Sequence, residues 1–138
     1  MAAGFTDYLI GNLLNHCFAS GTFTKPTGLT LHLYKGDPHS GGVEVSAVVD
    51  DTAYASQSIT FENEGTTTNN RCYNTNTITF PAVVYGSGAA AYSVLYAVVK
   101  DGSANVLDGG PLPASVLRSV GEPLVFAPYS VFVAIARS

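Results

Sequence analysis

Charge is what this chain has least of. Only 12% of its 138 residues are Asp, Glu, Lys or Arg, while 46% are hydrophobic. A typical soluble domain is about 25% charged. Charge normally covers the solvent face and keeps a monomer dispersed, so the shortage predicts surface hidden against copies of the chain or another partner. The six Lys and Arg are scattered singly and the net charge is −4. Without a basic patch to neutralise phosphates, nucleic-acid binding is not expected. Cysteine is scarce as well. Cys17 and Cys72 make no disulfide framework and are expected as reduced, partly buried thiols. No run of 18 apolar residues occurs, which excludes a transmembrane helix. No Lys or Arg precedes the first apolar stretch, and Asp7 and Asn12 interrupt it, so no signal peptide is expected. The product should stay in the cytoplasm that makes it unless released with a larger object. Tryptophan is absent, although eight Tyr and seven Phe are present.

What is there begins with Phe5 to Phe18, where apolar residues recur at helical spacing. Phe5, Tyr8, Leu9, Leu13 and Cys17 form one stripe, and Ile10, Leu14 and Phe18 extend it round a second side. Thr6 or Asp7 can cap the start. Ser20-Gly21 predicts the stop through a left-handed glycine. A helix over about residues 6–20 is therefore expected, with one side on the body of the protein and the other against a further subunit.

After Gly21 the period changes to two. Leu29, Leu31 and Leu33 predict one face of a strand, with Thr30, His32 and Tyr34 on the other. Val43-Glu44-Val45-Ser46 reads as a short edge piece, and Asp50-Asp51 as a turn. In Gln57–Glu62, Ile59 and Phe61 should face inward. Asn63 to Asn70 reads as a mobile polar loop. From Cys72 to Phe80, the pattern places Asn74, Asn76 and Ile78 on one face, with Thr75, Thr77 and Phe80 near the other. Gly86 to Ala91 reads as a flexible small-residue link. Tyr92 to Lys100 is apolar on both faces, with Val94, Tyr96 and Val98 on one, which marks a strand covered twice. Asp101-Gly102-Ser103 predicts a hairpin turn, Gly109 to Pro113 a breaker, and Ala114 to Val120 a strand or bent piece. Leu124–Phe126 and Ser130–Ala136 are the expected closing strands. Seven to nine short strands predict a mainly β, single domain over 1–138, an antiparallel β-sandwich or partly open barrel with one N-terminal helix.

No residues assemble into catalytic chemistry. His16 and Cys17 are adjacent and point about 100° apart on a helix, so they cannot share one ion. His32 and His39 lack a partner at ligand spacing. No Gly-x-Ser-x-Gly elbow occurs, and Gly86-Ser87-Gly88 lacks the Lys of a phosphate loop. Glu44, Asp50, Asp51, Glu62 and Glu64 could supply paired carboxylates, and Asp50 with Asp51 a calcium ligand pair. Their surroundings predict solvated turn residues instead. The aromatic residues suit core and interface anchors better than a sugar-binding face, given the regular strand spacing. No enzyme activity, metal or cofactor is expected.

The order of motifs resembles a family of small tailed-phage virion proteins labelled tail-fibre-like, which includes capsid cement (decoration) proteins of cyanophages. The likeness is carried by Tyr8-Leu9 with Leu13-Leu14-Asn15-His16 and Phe18, then Thr24-Lys25-Pro26-Thr27, Leu33-Tyr34 and Gly36-Asp37-Pro38. Val43–Ser46, Tyr54-Ala55, Gln57, Ile59-Thr60-Phe61, Asn76 and Ile78-Thr79-Phe80-Pro81 complete it. The resemblance implies a non-enzymatic virion protein. The first expectation is a homo-oligomeric cement protein that stabilises the shell by bridging subunits of the major capsid protein. Tyr8, Leu9, Leu13, Leu14 and Phe18 are its candidate interface residues. The alternative is a tail-fibre or baseplate component that touches host glycan through the loop at 63–70 and its tyrosines.

Overall fold

Leu31 and Leu33 are wholly buried while Thr30 and His32, which alternate with them, are only half-covered, as expected of a strand with one face inward. The computed structural model describes residues 4–63, 71–87 and 90–134. In chain order these form β1 (Gly4–Phe5), α1 (Asp7–Phe18), β2 (Thr30–Tyr34), β3 (Gln57–Ser58), β4 (Phe61–Asn63), β5 (Arg71–Asn74), β6 (Ile78–Phe80), β7 (Tyr92–Lys100), β8 (Val106–Arg118), β9 (Leu124–Phe126) and β10 (Phe132–Ala134). A single 3-10 turn, Pro38–Ser40, follows β2. The strands make three antiparallel sheets with orders β1-β8-β7-β2-β3, β10-β5-β4 and β6-β9. None closes into a barrel, and the arrangement is sandwich-like. One apolar cluster joins the inward residues of all three: Leu31, Leu33, Val94 and Val99 from the large sheet, Ile78 and Phe80 from β6, with Phe61, Phe126 and Val131 packed against them. Phe80 is the hub, stacked on Tyr54 at 6.1 Å and edge-on to Phe126 at 6.1 Å.

Four local expectations need correction. Phe80 lies on the same inward face as Ile78, as two residues apart on a strand must. In β7 the two-sided apolar pattern does not mark a strand covered twice throughout. The register shifts between Val94 and Tyr96, and this bulge reverses the faces. Val94 enters the main core, whereas Tyr96 and Val98 join Tyr34 in a smaller cluster on the opposite side. Leu95, at the bulge, is exposed. Gly109 to Pro113 does not end a strand, because it lies inside β8. β1 pairs only with Asp108 and Gly109, so the outer edge of β8 beyond them has no neighbour among the described strands. There prolines remove no ladder bond. The region 43–46 is the short edge piece expected: Glu44 bridges Tyr34, Lys35 N–H donates to the Val43 carbonyl and Val45 N–H to the Leu33 carbonyl, each at 2.9 Å. Gly86 is a close approach, since a Cβ there would fall 2.5 Å from the Val48 carbonyl oxygen. Residues 64–70, 88–89 and 135–138 lie outside the described residues, and with them most of the polar loop and the end of the closing strand.

The hairpin between β7 and β8 follows expectation. Asp101 Oδ1 accepts from the backbone N–H groups of Ser103 and Asn105, each at 2.9 Å, which closes the turn.

Candidate functional site

α1 begins where Thr6 caps it. The Thr6 hydroxyl oxygen accepts from Leu9 N–H at 3.4 Å and donates to the Val106 carbonyl, while Thr6 N–H donates to the Leu107 carbonyl at 3.0 Å. The cap therefore fastens the helix to β8. Asp7 in the first turn suits the helix dipole. The stop is not the left-handed glycine expected. Ala19 is extended (φ −127°), and the His16 ring accepts from Phe23 N–H at 3.2 Å as the chain turns back. Tyr8 then meets Phe23 edge-on at 6.5 Å, and its hydroxyl accepts from the Asn105 side chain at 3.2 Å.

These few bonds are most of what holds the helix, because none of its residues is buried. The structure divides the five candidate interface residues. Leu9 and Leu13 are half-buried toward the body, and Tyr8, Leu14 and Phe18 are exposed. Leu14 is 55% and Phe18 86% exposed, and Ile10 joins them. Spaced by four, Ile10, Leu14 and Phe18 form a continuous outward apolar row. Cys17, expected in the inner stripe, is exposed; Cys72 is half-buried. The inner stripe thus covers less of the body than its periodicity predicts.

The acidic residues were expected in solvent, and three of them are not: Glu44 and Asp50 are partly covered and Asp51 is wholly buried. Glu44 lies along the edge of β2 away from β7, at the centre of a polar network that reaches across β2. One carboxylate oxygen takes His32 Nδ1 and the Tyr54 hydroxyl (2.9 Å), and the other takes Lys100 Nζ at 2.9 Å. His32 Nε2 contacts the Thr30 hydroxyl at 2.8 Å, and the Lys100 ammonium lies 5.3 Å from the Tyr34 ring centre. Burial by itself would raise the Glu44 carboxyl, but the bonds from His32, Lys100 and Tyr54 outweigh it and hold the pKa near about 2, against 4.5 when unfolded. Burial pushes the Tyr54 phenol up, so it stays a donor. A carboxyl whose folded pKa is depressed stabilises the fold above the unfolded value and loses that effect as pH falls toward the folded one. The shift is worth about 3.4 kcal/mol undiscounted, and with this partly exposed carboxylate screened by water Glu44 should contribute about 2 kcal/mol at neutral pH, lost between about pH 4.5 and 2. Asp50 and Asp101 act in the same direction; half-buried Asp108, whose carboxyl desolvation raises, acts against them. Thermal unfolding of Glu44→Gln is expected to show a loss at neutral pH that vanishes in acid.

Asp51 is wholly buried. Its Oδ1 accepts from Ala53 and Val84 N–H, each at 3.0 Å, and Oδ2 accepts from the Tyr92 hydroxyl at 2.9 Å. Asp50 instead pairs with Lys35 at 2.7 Å and accepts from Ser46 N–H at 2.8 Å. The two neighbours serve different partners and do not form a calcium pair. Among the described residues no group of three or more His, Cys, Asp or Glu could hold a metal ion. Among the described residues no helix is long and apolar enough to cross a membrane.

A third feature was not foreseen. β4, β5 and β10 carry Glu62, Tyr73 and Phe132 as directly opposed residues on their outer face. Tyr73 meets Tyr129 edge-on at 6.2 Å and Phe132 at 6.1 Å, with the Arg71 guanidinium 5.3 Å from the Tyr73 ring centre. Only the pairing of strands distant in sequence gathers these rings. No local spacing signals it.

The mainly β body, the outward helix and the surface aromatics are features of a structural or binding protein assembled into a larger object. Comparison with protein families agrees: a model described as podophage GP4 fiber I protein gp80 matches residues 4–133. The chain belongs to that family and is a phage virion protein. No curated protein matches it.

Proposed function

We propose that this protein is a non-enzymatic structural subunit of a phage fibre, joined to copies of itself through the outer face of α1. The observation that supports this most is the row Ile10, Leu14 and Phe18, held in water by a helix with no buried residue. Each such side chain is worth about 1.5–3 kcal/mol when fully covered. A scarcity of charge leaves little to keep two such faces apart, and a self-complementary patch is how identical subunits most often meet. Net charge of −4 argues against a nucleic-acid partner. The fibre description of the family supports the position on the particle.

The capsid-cement role is the second reading, because the same apolar face could clamp subunits of the major capsid protein. Antibody labelling of intact particles, viewed by electron microscopy, separates the two. Label along a fibre is the expected result; label over the shell would replace the fibre by cement, and unlabelled particles would sink both.

A further inference from the structure

Nothing in its own subunit accounts for Gly11. It lies inside α1, where only proline is costlier than glycine. Its φ is not positive, so the backbone does not demand glycine. A Cβ built there would meet nothing within 4 Å, so no contact of the chain needs the space empty. Gly11 belongs to an exposed line. Asp7, Gly11, Leu14 and Phe18 are all exposed and follow one another at spacings of four, three and four, which sets them in one seam along the helix. Gly11 and Phe18 are two turns apart, about 10 Å along the axis and about 20° around it. The seam therefore carries a gap at Gly11 and, at Phe18, a ring that is 86% exposed.

We infer that a second copy packs its α1 antiparallel to the first, with each Phe18 ring seated on the other copy's Gly11 and the two Leu14 side chains meeting between these contacts. This rests on the self-association proposed above and specifies how the two helices meet. Leu14 lies three residues from Gly11 and four from Phe18, so a two-fold axis beside it brings both Gly11–Phe18 pairs into register at once. With no Cβ at Gly11, the two backbones approach closely enough to cover the ring. Charge selects the direction. A parallel pair would set Asp7 against Asp7 and align the two helix dipoles. The antiparallel pair keeps those carboxylates a helix length apart and sets each N-terminus beside a C-terminus.

The test is sedimentation equilibrium on the full chain, with the melting temperature of the dilute subunit read by circular dichroism. Gly11→Leu adds an apolar side chain to an exposed face, so general hydrophobicity would tighten association. The expected result is the reverse: association about a hundredfold weaker, because two Phe18 rings are displaced, with an unchanged or higher melting temperature. Adding Phe18→Ala to Gly11→Leu should restore association to within about tenfold of the parent, since one large side chain again meets one small one. In a parallel pair position 11 would face position 11, and no such rescue occurs. Gly11→Leu associating as tightly as the parent, or a double variant no tighter than Gly11→Leu alone, overturns the antiparallel seating and leaves self-association through α1 standing. A monomeric parent overturns both.

Discussion

Asp51→Ala is expected to lower the free energy of unfolding by about 3–5 kcal/mol, read from the urea midpoint. The carboxylate is fully buried and serves the N–H groups of Ala53 and Val84 and the hydroxyl of Tyr92. Alanine leaves three donors without acceptors in a dry site, and each orphan costs about 1–3 kcal/mol. The loss would spread through the fold. Asp51 also bridges to Tyr85, Thr52 N–H donates to the Val84 carbonyl at 2.8 Å, and Gly86 N–H donates to Asp50 at 3.1 Å. Together these fasten the 47–53 turn to the segment entering β7. Asp51→Asn should cost much less, about 1 kcal/mol. Its oxygen can still accept both N–H groups, and its amide can donate to the Tyr92 oxygen. Equal losses in the two variants would show that the charge, and not the set of acceptors, holds this turn.

Leu14→Glu should abolish self-association while leaving the isolated subunit folded. Leu14 is 55% exposed, so the change touches little of the body, and the unfolding midpoint should move within the small range of surface substitutions, about 0.5 kcal/mol. In a two-fold interface the row is used twice. Loss of two covered leucines alone, at about 2 kcal/mol each, weakens association by roughly a thousandfold, before the cost of burying two carboxylates. Sedimentation velocity and circular dichroism measure the two effects side by side. Unchanged assembly with an intact fold would mean that this side of α1 meets only water.

Both the helix and its two-sided apolar character were legible locally, because a period near 3.6 is written in adjacent residues. So were the inward leucines of β2, the hairpin at Asp101 and the mainly β class. Where β7 changes faces was not legible. A run such as Val94-Leu95-Tyr96-Ala97-Val98-Val99 reads the same whether a bulge interrupts it or not, and the bulge is set by the longer partner strand. Gly109 to Pro113 looked like a breaker because its glycines and prolines are judged as if a neighbour flanked each edge. The missing neighbour removes the objection.

Two of the acidic surprises have the same origin. Glu44 and Asp51 sit beside turn-forming residues, and local context predicts solvent. What drew Glu44 partly and Asp51 wholly out of water were partners far along the chain, Lys100 and Tyr92, brought close only by the fold. The surface aromatics tell the same story, since Glu62, Tyr73, Tyr129 and Phe132 come from four separate stretches.

By itself, then, the sequence determined the period of each element, the scarcity of charge and a helix with apolar residues to spare. Those properties depend on neighbours in the chain. Tertiary structure alone decided which carboxylates left water, which strand had a free edge, how little of α1 the body covers, and which rings gather beside Glu62. Burial and pairing are properties of positions in space, and residues dozens of places apart compete for them.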